Sequence, residues 1–239
     1  MSGHSKWATI KRQKGANDAK RGALFTKLSK AISIAVQQGG GIGDPAQNFR
    51  LRLAVEAARA GNMPKENIER AIERAISKSG EAIEEVVYEG FAPGGVGIIV
   101  EAATDNKNRT TSEVANIFNK NGGNMGQPGS VSYQFTKMGQ IIVDKNGKSI
   151  DDIFLEAADA GAEDVEDSDM EAFIFTNPGD LAKVRDNLVG KGIGVKEMEL
   201  IYKPNMTMDA DDATSDKVMS LLEKLEDLDD VQKTYTNLA

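Results

Sequence analysis

The segment YQFTKMGQIIVD (residues 133–144) reads as a strand, and a regular series of elements follows it. Asp151–Ala160 has a helical pattern, Ala162–Glu166 and Ala172–Thr176 are short strands, Asp180–Lys191 is helical, and Val195–Tyr202 is a closing strand. Period-two and period-3.6 apolar spacing distinguish the two kinds of element. The order β-α-β-β-α-β is that of a ferredoxin-like unit, a split β-α-β pattern.

On the N-terminal side of that unit, Val86–Phe91 and Val96–Ala103 read as strands joined by a turn at Pro93-Gly94-Gly95. A helix is expected over Thr111–Asn121, with Val114, Ile117 and Phe118 facing inward, and Gly122–Gly129 is a glycine-rich loop. On its C-terminal side, Asp212–Leu228 is an amphipathic helix through Val218, Leu221, Leu222 and Leu225, and Val231–Leu238 is a last strand. Neither flank makes a good sheet alone, because an isolated hairpin is marginal in water. The two are therefore expected to combine into one discontinuous domain, residues 81–130 plus 204–239, with the ferredoxin-like unit at 131–203 inserted into it. Two adjacent α+β domains divided near Ser130 are the alternative.

Three helices open the chain. Asp18–Gln38 repeats apolar residues at Leu24, Leu28, Ala31, Ile32 and Ala35 and ends at Gly39-Gly40-Gly41. A second helix begins near Pro45, carries Phe49, Leu53, Ala57 and Ala58 on one side, and ends at Gly61. A third is expected after Asn62 as N-cap with Pro64 near its first turn, bearing Ile68, Ile72, Ala75 and Ile76, with Glu66 and Arg70 four apart as a supporting pair. Residues 1–80 thus form a basic helical domain that leaves through Ser77–Ala82. The fold class is α+β: a helical N-terminal domain, then two α+β domains, one ferredoxin-like and inserted into the other.

The 239 residues carry a net charge of −8, unevenly distributed. Residues 1–80 hold 15 Lys/Arg against 6 Asp/Glu, a balance of +9, and the remainder stands at −17. A basic block in an otherwise acidic chain points to a polyanionic partner. The chain has no Cys and one His. Disulfides and thiolate metal sites are excluded, and a zinc site would need three carboxylates beside His4. No apolar run approaches the length of a membrane span, and Met1–Gly15 has charges but no apolar core of a secretory signal, so the cytoplasm is the expected location.

No motif carries enzyme chemistry. His4 has neither an orienting partner nor a fixed position, so it offers no acid–base pair. Gly39–Gly43 follows a helix rather than a strand, and Gly122–Gly126 lacks the Gly-Lys-Ser/Thr ending, so neither is a nucleotide-binding loop. The acidic stretches Asp164–Glu171 and Asp209–Asp216 fail the calcium-loop pattern. From Asp209 the sixth position is Thr214 and the twelfth Ser220. No cofactor, metal or small-molecule substrate is expected.

The candidate nucleic-acid-binding residues are Lys6, Lys11, Arg12, Lys14, Lys20, Arg21, Lys27 and Lys30, with only Asp18 as an acid before residue 31. Lys20, Lys27 and Lys30 fall on one side of the first helix. Trp7, the one Trp, either stacks on a base or anchors the arm to the helical core, and anchoring is the more ordinary role.

The run Gly3-His4-Ser5-Lys6-Trp7, followed by Ile10-Lys11, Lys14, Asp18 and Arg21-Gly22, resembles the start of the YebC/PmpR family. Further matches are Gly61-Asn62-Met63-Pro64, Tyr88-Glu89-Gly90, Pro93-Gly94-Gly95, Thr104-Asp105-Asn106, Asn108-Arg109-Thr110 and Gly129-Ser130-Val131. The resemblance implies three domains around a central cavity and a cytoplasmic, non-enzymatic role. Members are described as transcriptional regulatory proteins that bind DNA at promoters. They are also linked to the ribosome and stalled translation, and in mitochondria to activating translation of a cytochrome oxidase subunit. The expected partner is accordingly nucleic acid, either DNA or ribosomal RNA, with the ribosome as a further candidate and no membrane. The acidic third helix, with Glu66, Glu69 and Glu73, argues against a helix-turn-helix reader.

Overall fold

The computed structural model describes residues 18–77 and 83–239, with side chains from Arg21 onward. Helix α1 (Asp18–Gln38) packs against both α2 (Phe49–Ala60) and α3 (Lys65–Ile76). Ile32, Val36, Leu51, Val55, Ala58, Ile68 and Ala71 form the core between them. The first turn is closed by one side chain. Asn48 accepts a hydrogen bond from the Leu51 amide at 3.1 Å as the N-cap of α2, and its own amide donates to the Ala35 and Ile42 carbonyls. A Cβ on Gly39 would stand 2.0 Å from the Asn48 side chain, so a glycine is required there.

Asn62 does not cap α3. It has a φ of 56° and ends α2 instead: its amide donates to the Arg59 carbonyl, and the Met63 amide donates to that of Ala58. This is the left-handed closing pattern in which Asn substitutes for Gly, and buried Met63 supplies the accompanying apolar contact. Pro64 takes the cap position of α3 without a side-chain bond.

Strands β1 (Glu84–Phe91) and β2 (Gly97–Thr104) are antiparallel across the Pro93–Gly95 turn, where Gly94 and Gly95 both have a φ of 80°. Helix α4 (Lys107–Lys120) starts four residues earlier than its apolar spacing suggests. Its first turn is polar, and its start is set by the Asn106 side chain accepting from the Arg109 amide at 3.1 Å. The glycine-rich loop holds a two-residue strand, β3 (Asn124–Met125), paired with β1.

The ferredoxin-like order is observed as β4 (Phe135–Asp144), α5 (Ile150–Ala160), β5 (Asp164–Asp167), β6 (Glu171–Thr176), α6 (Leu181–Gly190) and β7 (Val195–Pro204). The sheet runs β5-β6-β4-β7, all antiparallel. Ser149 caps α5 by accepting from the Asp152 amide, and Ile141, Val143, Ile153, Ile174, Leu181 and Leu188 are buried.

After this unit come α7 (Asp212–Glu226) and β8 (Val231–Thr236). Strand β8 pairs antiparallel with β2, giving a second sheet in the order β3-β1-β2-β8. Val218, Leu221, Leu222 and Leu225 of α7 join Ile98, Val100, Val114 and Phe118 in one core. A Cβ on Gly90 would press within 2.7 Å of the Phe118 ring, so β1 passes that ring only as glycine.

Two compact units result. Phe135–Thr207 forms one, and Met208–Ala239 joins the described residues before Phe135 in the other. The helical bundle, expected to stand apart as residues 1–80, shares the second unit with the β3-β1-β2-β8 sheet, and α1 packs on β2 and β8. The boundaries fall four residues beyond the expected 130/131 and 203/204. Val131 and Ser132 donate their amides to Glu89, and the Asn237 side chain donates to that of Gln134 at 2.7 Å. The Met208 amide likewise donates to the Asn237 carbonyl at 2.7 Å.

Removing α7 and β8 strips β2 of an edge partner and uncovers the apolar face of the sheet. A chain ending at Thr207 is therefore expected to lose cooperative unfolding of the sheet core by urea titration. The isolated segment Phe135–Thr207 is expected to unfold in a single cooperative step, read by circular dichroism.

Candidate nucleic-acid interface

Lys6, Trp7, Lys11, Arg12 and Lys14 lie outside the described residues, as does the side chain of Lys20. Arg21 is exposed in the first turns of α1. Lys27 and Lys30, seven and ten residues after Lys20, are turned towards the segment between α7 and β8. The Lys27 ammonium donates to the Glu226 carbonyl oxygen. The Lys30 ammonium donates to the Asp229 carbonyl at 3.2 Å and to Asp230 Oδ1 at 2.5 Å. Lys30 keeps 17% of its side-chain exposure and Asp230 only 5%.

Asp230 gathers the unit around itself. Its second oxygen, Oδ2, accepts from Arg109 Nη2 at 2.8 Å and from the hydroxyls of Thr110 at 2.6 Å and Thr104 at 3.1 Å. Its backbone carbonyl accepts from the Ala103 amide at 2.7 Å. Arg109 also reaches Asp105 at 2.7 Å, and the Thr104 hydroxyl accepts from the Asn106 amide at 2.9 Å. Burial alone would raise the Asp230 carboxyl. The hydrogen bonds from Arg109, Lys30 and Thr110 outweigh it and hold the group well below the usual carboxylate range. The Thr104-Asp105-Asn106 and Asn108-Arg109-Thr110 motifs thus contribute the setting of one buried acid.

A second motif pair meets at Glu89, which is 7% exposed. Its carboxylate accepts from the amides of Gly129 at 2.8 Å, Val131 at 2.6 Å and Ser132 at 2.8 Å. Burial works against that charge, and the three backbone amides prevail, so the pKa is lowered.

A cleft of about 520 Å³ opens between α1 and α3. Thr26, Ser29, Lys30 and Ser33 line one wall, Asn67, Arg70, Ala71 and Arg74 the other, with Ile83 and Asp105 at its edge. Arg70 and Arg74 are exposed and one helical turn apart, and their guanidinium groups meet no partner among the described residues. The pair formed on the outer side of α3 is Lys65 with Glu69 at 3.5 Å, rather than Glu66 with Arg70. Sequence reasoning did not single out Arg70 and Arg74 as site residues. The signal was present in their four-residue spacing beside Ala71 and Ala75, but the three glutamates of the same helix masked it. Among the described residues no group of His, Asp and Glu could hold a metal ion, and no helix is long and apolar enough to cross a membrane.

These features define an α+β protein in which a helical bundle with a cationic cleft is fastened by a buried acid to a sheet that a ferredoxin-like unit interrupts in sequence. Residues 5–78 match the TACO1/YebC protein N-terminal domain, and residues 83–238 match the TACO1/YebC second and third domain. The chain belongs to the TACO1/YebC family. A relative from Chloroflexus aurantiacus, named "Probable transcriptional regulatory protein", is 53% identical, covering 100% of this chain and 95% of its own. One of the same name from Dictyoglomus turgidum is 51% identical, covering 99% of this chain and 95% of its own. The crystal structure of a conserved hypothetical protein from Aquifex aeolicus superposes with a TM-score of 0.85 at 44% identity, covering 95% of this chain and 93% of that one.

Asp230→Asn is expected to destabilise the unit by about 2–3 kcal/mol in urea unfolding at neutral pH. That is below the roughly 3–5 kcal/mol of a fully buried pair, because Arg109 can regain water. A depressed carboxyl contributes stability above its unfolded pKa of about 3.9 and loses it as pH falls below that value. The gap between wild type and variant should therefore close on acidification below about pH 4. A gap that stays constant down to pH 3 would remove Asp230 from this role.

Proposed function

We propose that this chain is a non-enzymatic regulator of gene expression that binds nucleic acid through its basic N-terminal domain. The observation that carries this reading is the charge division, +9 in residues 1–80 against −17 in the rest. Lys and Arg neutralise phosphates and release counterions without reading any base, so a concentrated basic block suffices for binding. The acidic remainder repels the same polyanion and restricts contact to the N-terminal domain. The names of the full-length relatives, which call them probable transcriptional regulatory proteins, agree with this and favour DNA and transcription. Lys6, Lys11, Arg12, Lys14, Lys20 and Arg21 are the proposed phosphate contacts. Lys27 and Lys30 take a share only by exchanging their present carbonyl and carboxylate partners.

One observation favours RNA and the ribosome as a second reading. Glu66, Glu69 and Glu73 are all exposed on α3, the helix that a helix-turn-helix reader would place in the major groove. An acidic helix there repels phosphates, whereas contact by shape and backbone needs no such helix.

Replacing Lys11, Arg12 and Lys14 with Glu is expected to reduce binding of a mixed-sequence oligonucleotide at least about a hundredfold while leaving the melting temperature unchanged. Affinity of the wild type should fall steeply with salt. A flat salt dependence, or an unchanged variant, would refute the basic-domain mechanism. Crosslinking in cells followed by sequencing separates the two targets: promoter DNA supports transcription, and ribosomal RNA supports translation.

A further inference from the structure

We propose that the cleft between α1 and α3 seats the nucleic-acid backbone, with Arg70 and Arg74 each engaging a phosphate. The proposal rests on the nucleic-acid reading above and assigns it a place in the fold. A guanidinium with no internal partner has its whole fork of donors available, and that fork suits a phosphate bidentately. Residues four apart on a helix lie on one face, about 6 Å apart, so two such groups present a short cationic line rather than a point. Ala71 and Ala75, in the same turns, are buried in the core of the bundle, so the longer arginines beside them are what α3 extends into the cleft. On the opposite wall the Ser29 hydroxyl meets no partner among the described residues and can donate to a phosphate oxygen.

Two acidic features stand near enough to repel an anion. Asp105 stands at the edge of the cleft, but its carboxylate is held by Arg109 at 2.7 Å, so its field is largely offset. Glu66, Glu69 and Glu73 belong to α3 but are not in the cleft lining; at 100° per residue Glu66 and Glu73 flank Arg70, and Arg74 stands further from both around the helix. Neighbouring Lys30 is bound to Asp230, so its field is likewise largely offset and the two arginines supply the positive potential of the cleft. Two pairs of cations thus differ in role: Lys27 and Lys30 fasten α1 to the end of α7 and the turn before β8, and Arg70 and Arg74 line an open cleft.

The test measures binding of the full-length protein to a fluorescent 20-nucleotide RNA, and to DNA of the same sequence, across a salt series. Arg70→Ala with Arg74→Ala is expected to weaken binding about tenfold or more and to lower the salt slope by about two, one for each phosphate no longer neutralised. The melting temperature should not move, since both side chains are exposed and Ala is a strong helix former. Arg59→Ala with Lys65→Ala removes the same charge from the same bundle outside the cleft, and should change affinity less than about threefold. Arg70→Lys with Arg74→Lys should retain most of the binding. Equal losses from the two alanine pairs would mean bulk charge rather than a seat, and would overturn the proposal. So would an unchanged affinity in the Arg70/Arg74 alanine pair while the wild type binds. Pyrophosphate at constant ionic strength that stabilises the wild type but not this pair, with oligonucleotide affinity unchanged, would assign the cleft to a small free phosphate and overturn it too. A wild type that binds neither RNA nor DNA would instead remove the nucleic-acid reading itself, and the cleft's role with it.

Discussion

A single carboxylate, that of Asp230, holds together three parts of the chain that lie far apart in sequence. Lys30 comes from the first helix, Thr104, Arg109 and Thr110 from the end of β2 and the start of α4, and Asp230 itself from the turn before β8. A buried acid is costly to desolvate and tolerable only when its lone pairs are satisfied. Here two cations and two hydroxyls satisfy them, so the carboxylate is buried only when all three parts are in place. That condition fixes where the last strand enters the sheet and how the helical bundle docks on it. The other docking contacts, Lys27 on the Glu226 carbonyl and Gln38 on Glu85, follow once α1 is set.

This constraint changes how the basic charge is to be counted. Total positive charge in the helical domain sets the long-range field that draws in a polyanion. The charge free to touch a phosphate is a smaller quantity, because an ammonium already paired with a buried carboxylate must break that pair first. Lys30 is therefore largely withdrawn from contact with a phosphate. The exposed arginines of α3 reverse the relation: they add little to a helix that also carries three glutamates, yet their donors are unengaged.

Much of the fold was legible in the sequence because it rests on periodicity and on turn residues. The span of α1, the ferredoxin-like order, the Pro93–Gly95 turn and the partnership of the two flanks all follow from apolar spacing and from the need of a two-stranded fragment for a third strand. The structure departs from the expected helix ends where a single asparagine sets the backbone there, by its side chain or by a left-handed φ. Asn106 starts α4 inside a polar stretch with no apolar rhythm, and Asn62 closes one helix where it looks like the opening of the next. The motifs that carry the family resemblance are largely of this kind. Thr104–Thr110 surrounds Asp230, and Glu89 gathers the amides of Gly129, Val131 and Ser132.

By itself the sequence determined the fold class, the succession of elements and the concentration of positive charge in the first eighty residues. Each of these is local: it depends on spacing or composition along a short window of chain. Which cations fasten the fold and which face a cleft was decided by tertiary structure alone. Lys30 and Asp230 are two hundred residues apart, and no pattern along the chain records that they meet at 2.5 Å. The same holds for Arg70 and Arg74. Their neighbours in sequence are acidic, and only the packing of α3 against α1 places both arginines, and none of the three glutamates, in the lining of a cleft.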